Sequence, residues 1–163
     1  MIRVLGPEAL TEVARGMRDI DRREICALAA TDDPVEATAH LAFVPHIGAS
    51  VHGRDDAPIA VVGAMFLRPG VVSVFMFATD RWREVAIETT RFVRRILLPT
   101  LRDAGIHRLE CHSLDDHFDA HNWLRYLGAD REVPEPDFGK NRENYVLFTM
   151  SRAALERVTS AGK

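Results

Sequence analysis

The spacing of hydrophobic positions changes period several times along the chain, and each change predicts an element. Residues 2–5 read as a short strand broken by Gly6-Pro7, after which Leu10, Val13 and Met17 fall on one helical stripe. Ile20, Ile25 and Leu28 keep helical spacing, and Asp33-Pro34 has the form of a cap and first-turn proline for a third short helix through His40. From Ile47 the texture changes to β-branched and aromatic runs, among them Val51, Ile59, Val61, Val62, Val71, Val72, Val74, Phe75 and Phe77. They predict strands near 47–53, 58–67 and 71–78. The connections at 53–57 and 68–70 are of hairpin length, so the three strands should form an antiparallel meander.

In the second half, Val85, Thr89, Phe92, Val93, Ile96, Leu97 and Leu101 mark a long helix over 81–103, with Ala104-Gly105 as its stop. Pro99 should kink the last turn or end it early, because proline offers no amide and crowds the preceding turn. Residues 106–112 alternate as a strand, placing Arg108, Glu110 and His112 on one side and His107, Leu109 and Cys111 on the other. Asp115 or Asp116 is expected to cap a helix through Leu127, with Gly128 ending it. Residues 145–150 supply a last strand, and 151–163 a short helix that then frays. The pattern is that of an α/β (α+β) chain with a mixed, mostly antiparallel sheet flanked by helices, one domain over 1–151 and a tail at 152–163.

Composition narrows the classes of function. The chain has 163 residues, 47% of them hydrophobic and 28% charged, which suits a globular domain with a real core. A net charge of -3 provides no general attraction to phosphate backbones, so nucleic acid is not an expected partner. Two cysteines, Cys26 and Cys111, make neither a disulfide framework nor a zinc site. The apolar run 58–67 is too short to span a bilayer, and residues 1–8 lack the apolar core of a signal peptide. A cytoplasmic location follows, with no membrane span, and a homo-oligomer remains open.

The segment Asp119-Ala120-His121-Asn122-Trp123-Leu124-Arg125-Tyr126-Leu127-Gly128 carries a family resemblance. It is similar to the closing helix of the GNAT acetyltransferase superfamily, in which an alanine precedes an aromatic and a Leu-Gly end. The order of predicted elements is also that of a GNAT protein. A further resemblance is to a GNAT-like group of phages and prophages, labelled internal virion protein A-like. The segments that carry it are Arg18-Asp19-Ile20-Asp21-Arg22-Arg23-Glu24-Ile25, Thr79-Asp80, and Trp123-Leu124-Arg125-Tyr126-Leu127-Gly128. It implies a location that includes the virion.

The resemblance implies acetyl-CoA as cofactor, its pyrophosphate held by a glycine-bearing loop that runs into the long helix. The equivalent stretch here is Thr79-Asp80-Arg81-Trp82-Arg83-Glu84-Val85-Ala86, which contains no glycine. Thr79, Arg81, Arg83, Glu84, Val85 and Ala86 are the cofactor-binding candidates, together with His117 where relatives carry an asparagine. The alternative is that Asp80 caps the helix while Arg81 and Arg83 are solvated, and that the Trp82 indole covers the nucleotide's place. The tyrosine that relatives use as general acid aligns with Leu124, which has no proton to give, and Tyr126 lies on another helix face. Glu110 and His112 are the candidate catalytic bases, with His107 on the opposite side of the strand. His117 and His121 share a helix face at metal-ligand spacing, but no metal is expected because such helix faces are common. Lys140 and Arg142 of the polar loop 134–142 are positioned for an acidic partner or are simply part of a connection.

Two functions remain. One is an acetyl-CoA-dependent N-acyltransferase acting on a small-molecule or protein amine, with the thioester between split central strands. The other is a non-catalytic GNAT-like protein that binds a phage or host protein.

Overall fold

The computed structural model describes residues 1–160. Its elements are β1 (Ile2–Val4), α1 (Pro7–Arg15), α2 (Asp19–Ala27), α3 (Pro34–Thr38), β2 (His46–His52), β3 (Pro58–Arg68) and β4 (Val71–Ala78), then α4 (Ala86–Phe92), α5 (Leu98–Asp103), β5 (Arg108–Leu114), α6 (Phe118–Leu127), β6 (Arg131–Glu135), β7 (Tyr145–Ser151) and α7 (Arg152–Ser160). The strands follow the order β1-β2-β3-β4-β5-β7-β6 in a seven-stranded sheet. Pairing is antiparallel for β1 with β2, β2 with β3, β5 with β7 and β6 with β7, and parallel for β4 with β5. This is the mixed, mostly antiparallel sheet with flanking helices that the hydrophobic pattern predicts.

The chain divides into two compact units, Met1–Met65 with Val74–Thr89, and Phe66–Ser73 with Thr90–Lys163. In the first, the stripe Leu10, Val13, Ala14 and Met17 of the α1 region is buried with Leu41, Val61 and Phe77, so the helical and strand periodicities meet in one core. Asp33 caps α3 as expected, its Oδ1 accepting the Val35 amide at 2.8 Å. A charged group is also buried here. Asp21 is 2% exposed, and its Oδ2 accepts Arg18 Nε at 2.7 Å and the Ala78 amide at 2.9 Å. Arg18 in turn donates its own amide to the Ala78 carbonyl, and Met17 pairs antiparallel with Thr79. The Arg18-to-Ile25 segment therefore fastens α2 to the end of β4 through both polar groups of one residue.

In the second unit, Leu101, Phe148, Ala154 and Leu155 are fully or nearly fully buried. The helix 86–103 is not ended by Pro99. A π turn, Val93–Leu97, precedes α5, and the Leu98 amide reaches back to the Val93 carbonyl. The widened turn absorbs the amide that proline lacks, and Pro99 sits at the first turn of α5, where no amide is required. Two sequence expectations need correction. Residues 115–116 do not cap α6; β5 runs on to Leu114, Asp115 and Asp116 form the turn beyond it, and α6 begins at Phe118 without a side-chain cap. Strand β6 lies where a loop was expected, its Pro134 tolerated because β6 is an edge strand that pairs only with β7. Gly128 ends α6 as expected, at φ 112, a left-handed conformation costly for other residues. The tail forms α7 with Ala154 and Leu155 buried, while the predicted fraying end, 161–163, lies outside the described residues.

Candidate functional site

The loop after β4 forms a 3₁₀ turn, Asp80–Glu84, whose first donor is served by Thr79: its Oγ1 accepts the Arg81 amide at 3.3 Å. Thr79, and not Asp80, is the capping residue. A 3₁₀ turn directs each amide to the carbonyl three residues back. Trp82 bonds Thr79 and Val85 bonds Trp82, each at 3.0 Å. The amides that a glycine-bearing cradle would offer to a phosphate are spent along the turn's own axis. Val85 is buried, and its carbonyl accepts both the amide and the hydroxyl of Thr89 at the start of α4, beside Ala86.

The side chains of this loop divide sharply. Arg81 is held from two sides, donating to Asp55 at 2.7 Å and to Glu84 twice at 2.8 Å. Those hydrogen bonds lower the carboxyl pKa values of Asp55 and Glu84 and raise that of Arg81, so the group is a closed triad of one positive and two negative charges. Arg83 is exposed and has no hydrogen bond or ion pair among the described residues. Trp82 is half-buried with the Arg18 guanidinium 5.6 Å over its ring.

The other candidates lie in the second unit. Strand β5 places Glu110 and His112 on one side, and pairing carries that side across β7 to β6: His112 opposes Leu147 and Leu147 opposes Val133, while Leu114, Tyr145 and Glu135 form the next row. Glu110 is committed, with Oε1 2.6 Å from Arg108 Nε and 3.6 Å from Arg68. His112 stacks flat on Phe138, ring centroids 4.6 Å apart and planes 6° apart, and its Nε2 lies 3.1 Å from Glu135 Oε2. Phe138 also tilts onto the buried Tyr145 at 5.5 Å. Sequence reading missed Glu135 and Phe138, since neither shares a local pattern with His112.

His107 precedes β5, exposed and against the Gly70 turn, where a side chain on Gly70 would collide with its ring. His117 and His121 are both buried; His121 donates Nε2–H to the Leu114 carbonyl at 2.9 Å and stands 4.9 Å from the Phe148 ring. Leu124 is buried, whereas Tyr126 is 62% exposed with its hydroxyl 2.9 Å from Arg94. Arg142 is turned to Asp137 of its own loop at 3.0 Å.

No protein-family model and no curated protein sequence matches the chain. Solved structures do. The Escherichia coli ribosomal-protein-S18-alanine N-acetyltransferase is 9% identical, with a TM-score of 0.68 over 93% of this chain and 92% of that one. Ard1 from Thermoplasma volcanium is 12% identical, TM-score 0.66, over 93% and 96%. The Salmonella typhimurium protein yncA, solved with its cofactor acetyl-CoA, is 11% identical, TM-score 0.70, over 93% of each. At such identities the likeness shows the fold, and the fold of this chain is that of the GNAT acetyltransferases.

Proposed function

We propose that the chain is a divergent acetyl-CoA-dependent N-acetyltransferase in which His112 takes the proton of an amine acceptor. The observation that carries this reading is the imidazole itself: partly exposed, fixed in plane by Phe138, and set on a strand beside a carboxylate. Glu110, the other candidate base, is held by Arg108 and Arg68 and so serves to neutralise that charge.

The loop fits a phosphate-bearing cofactor through a side chain and not through main-chain amides. Arg83 is the guanidinium available for a phosphate oxygen, and Thr79, Arg81, Glu84, Val85 and Ala86 build the turn that carries it. His117 is buried, which removes it from contact with a cofactor unless α6 shifts. When bound, acetyl-CoA supplies a thioester whose carbonyl carbon the amine attacks, the C–S bond breaking and the CoA thiolate leaving. His112 accepts the proton the amine gives up. Leu124 offers no proton for the thiolate, and Tyr126, whose hydroxyl oxygen accepts from Arg94, lies on another face of α6, so water is the proton source at that point.

The second reading is a non-catalytic GNAT-fold protein of phage or prophage type, binding a virion or host protein. It is supported by the closed Arg81 triad, the self-satisfied turn and the phage-like segments at Arg18, Thr79 and Trp123. Calorimetry with acetyl-CoA, followed by release of free CoA thiol across a panel of amines, decides between them. Binding together with amine-dependent thiol release supports the enzyme. Millimolar acetyl-CoA that neither binds nor raises the unfolding temperature removes it, because a ligand bound to the native state must stabilise it.

A further inference from the structure

We infer that Glu135 is a positioning residue that orients His112 so that Nδ1, and not Nε2, is the ring atom that accepts the proton; this rests on the acetyltransferase reading above. His112 and Glu135 lie on strands separated by β7, and the register Leu114–Tyr145–Glu135 beside His112–Leu147–Val133 brings both side chains to one face. Glu135 Oε2 is buried and has no full hydrogen bond among the described residues. His112 Nε2 lies 3.1 Å away, off the line that a full bond needs.

Electrostatics fixes the tautomer at that distance. An unprotonated Nε2 would point its lone pair at a carboxylate oxygen already removed from water, whereas Nε2–H offers the donor that oxygen lacks. A neutral imidazole carries one ring proton, so placing it on Nε2 leaves the basic lone pair on Nδ1. Nδ1 has no hydrogen-bond partner among the described residues. Phe138 completes the arrangement by holding the ring plane, and its own loop is braced by Gly139 N to Glu143 O at 3.0 Å, Arg142 N to Gly139 O at 2.9 Å and Asp137 N to Asn144 Oδ1 at 3.1 Å. Glu110, the other carboxylate on this face, is occupied by its two arginines and does not compete for the ring.

The test uses the full chain and two variants, Glu135→Ala and Glu135→Gln. Long-range nitrogen–proton correlation spectra should show neutral His112 protonated at Nε2 in the wild type, and a mixture with the Nδ1–H form in Glu135→Ala. In amine-dependent CoA release, Glu135→Ala should lower kcat roughly tenfold or more with KM for acetyl-CoA unchanged, a part of the effect general-base catalysis commonly carries. Glu135→Gln keeps the side-chain oxygen and the shape, so it should fold and recover most of the rate and the wild-type tautomer. The inference is overturned if Glu135→Ala keeps the wild-type tautomer, or if both variants keep the wild-type kcat. If no variant, and not the wild type either, releases CoA with any amine, the acetyltransferase reading fails by itself and the spectra still decide whether Glu135 sets the tautomer.

Discussion

The loop after β4 and the face built by β5, β7 and β6 both gather carboxylates around a nitrogen base, yet they leave opposite residues of charge. Around Arg81, two carboxylates close on one guanidinium and every group in the triad is answered. Beside His112, one carboxylate oxygen is buried without a full hydrogen bond and one ring nitrogen meets no hydrogen-bond partner among the described residues. A satisfied cluster stabilises a turn, whereas an unsatisfied one is held in place by the surrounding fold and is available for chemistry. Charged residues near the cofactor position are therefore not by themselves evidence of binding; what matters is which charges the protein has already used.

The largest effect is expected from opening the charge cluster that anchors the exit of β4. Replacing Asp21 by Ala leaves the Arg18 guanidinium without its partner and the Ala78 amide without its acceptor, in a place only 2% exposed. A loss of about 3–5 kcal/mol in urea unfolding is expected. A loss within error would mean that Arg18 and Ala78 find other partners and that the β4 exit is not pinned from α2. Next in size, Arg83→Ala should weaken acetyl-CoA binding about tenfold, the worth of one charge-assisted hydrogen bond. Arg81→Ala should change it less than twofold by the same measure, since that guanidinium is already engaged. Equal effects in calorimetry would erase the distinction between the two arginines. Smaller again, the double variant Asp55→Ala with Glu84→Ala should release Arg81 and tighten binding severalfold, and a weakened affinity would show that the triad supports the cofactor by shaping the turn.

Most of the architecture was legible because it is written in local period. The β-branched runs gave β2, β3 and β4 to within a residue or so of their ends, and the Leu127-Gly128 signal gave the end of α6. β6 was not, because Glu132, Pro134 and Glu135 break any alternation and its pairing comes entirely from β7. The π turn was hidden for a different reason: Pro99 announces a lost hydrogen bond but not whether the helix breaks or widens to accommodate it. At the site, strand alternation found Glu110 and His112 on one side, yet it could not say that Arg108 and Arg68 occupy the first while the second meets Glu135 and Phe138. Glu135 and Phe138 reach His112 only through register and the fold of a loop, neither of which leaves a mark in the local sequence.

The smallest expected effect is the acid dependence of the Arg81 triad. Arg81 depresses the carboxyl groups of Asp55 and Glu84 below their ordinary values of 3.8 and 4.5. A group whose folded pKa is depressed stabilises the native state above its unfolded value and loses that contribution as the pH falls through its folded value. The difference in urea midpoint between wild type and Arg81→Gln should therefore be constant near neutrality and shrink progressively as the pH falls through and below the ordinary carboxyl range. It should be small throughout and smaller in high salt, since all three groups are on the surface. A difference that persists unchanged through that acid range would assign the stabilising role of Arg81 to packing of its alkyl stem against the turn, and the triad would no longer count as a closed electrostatic unit.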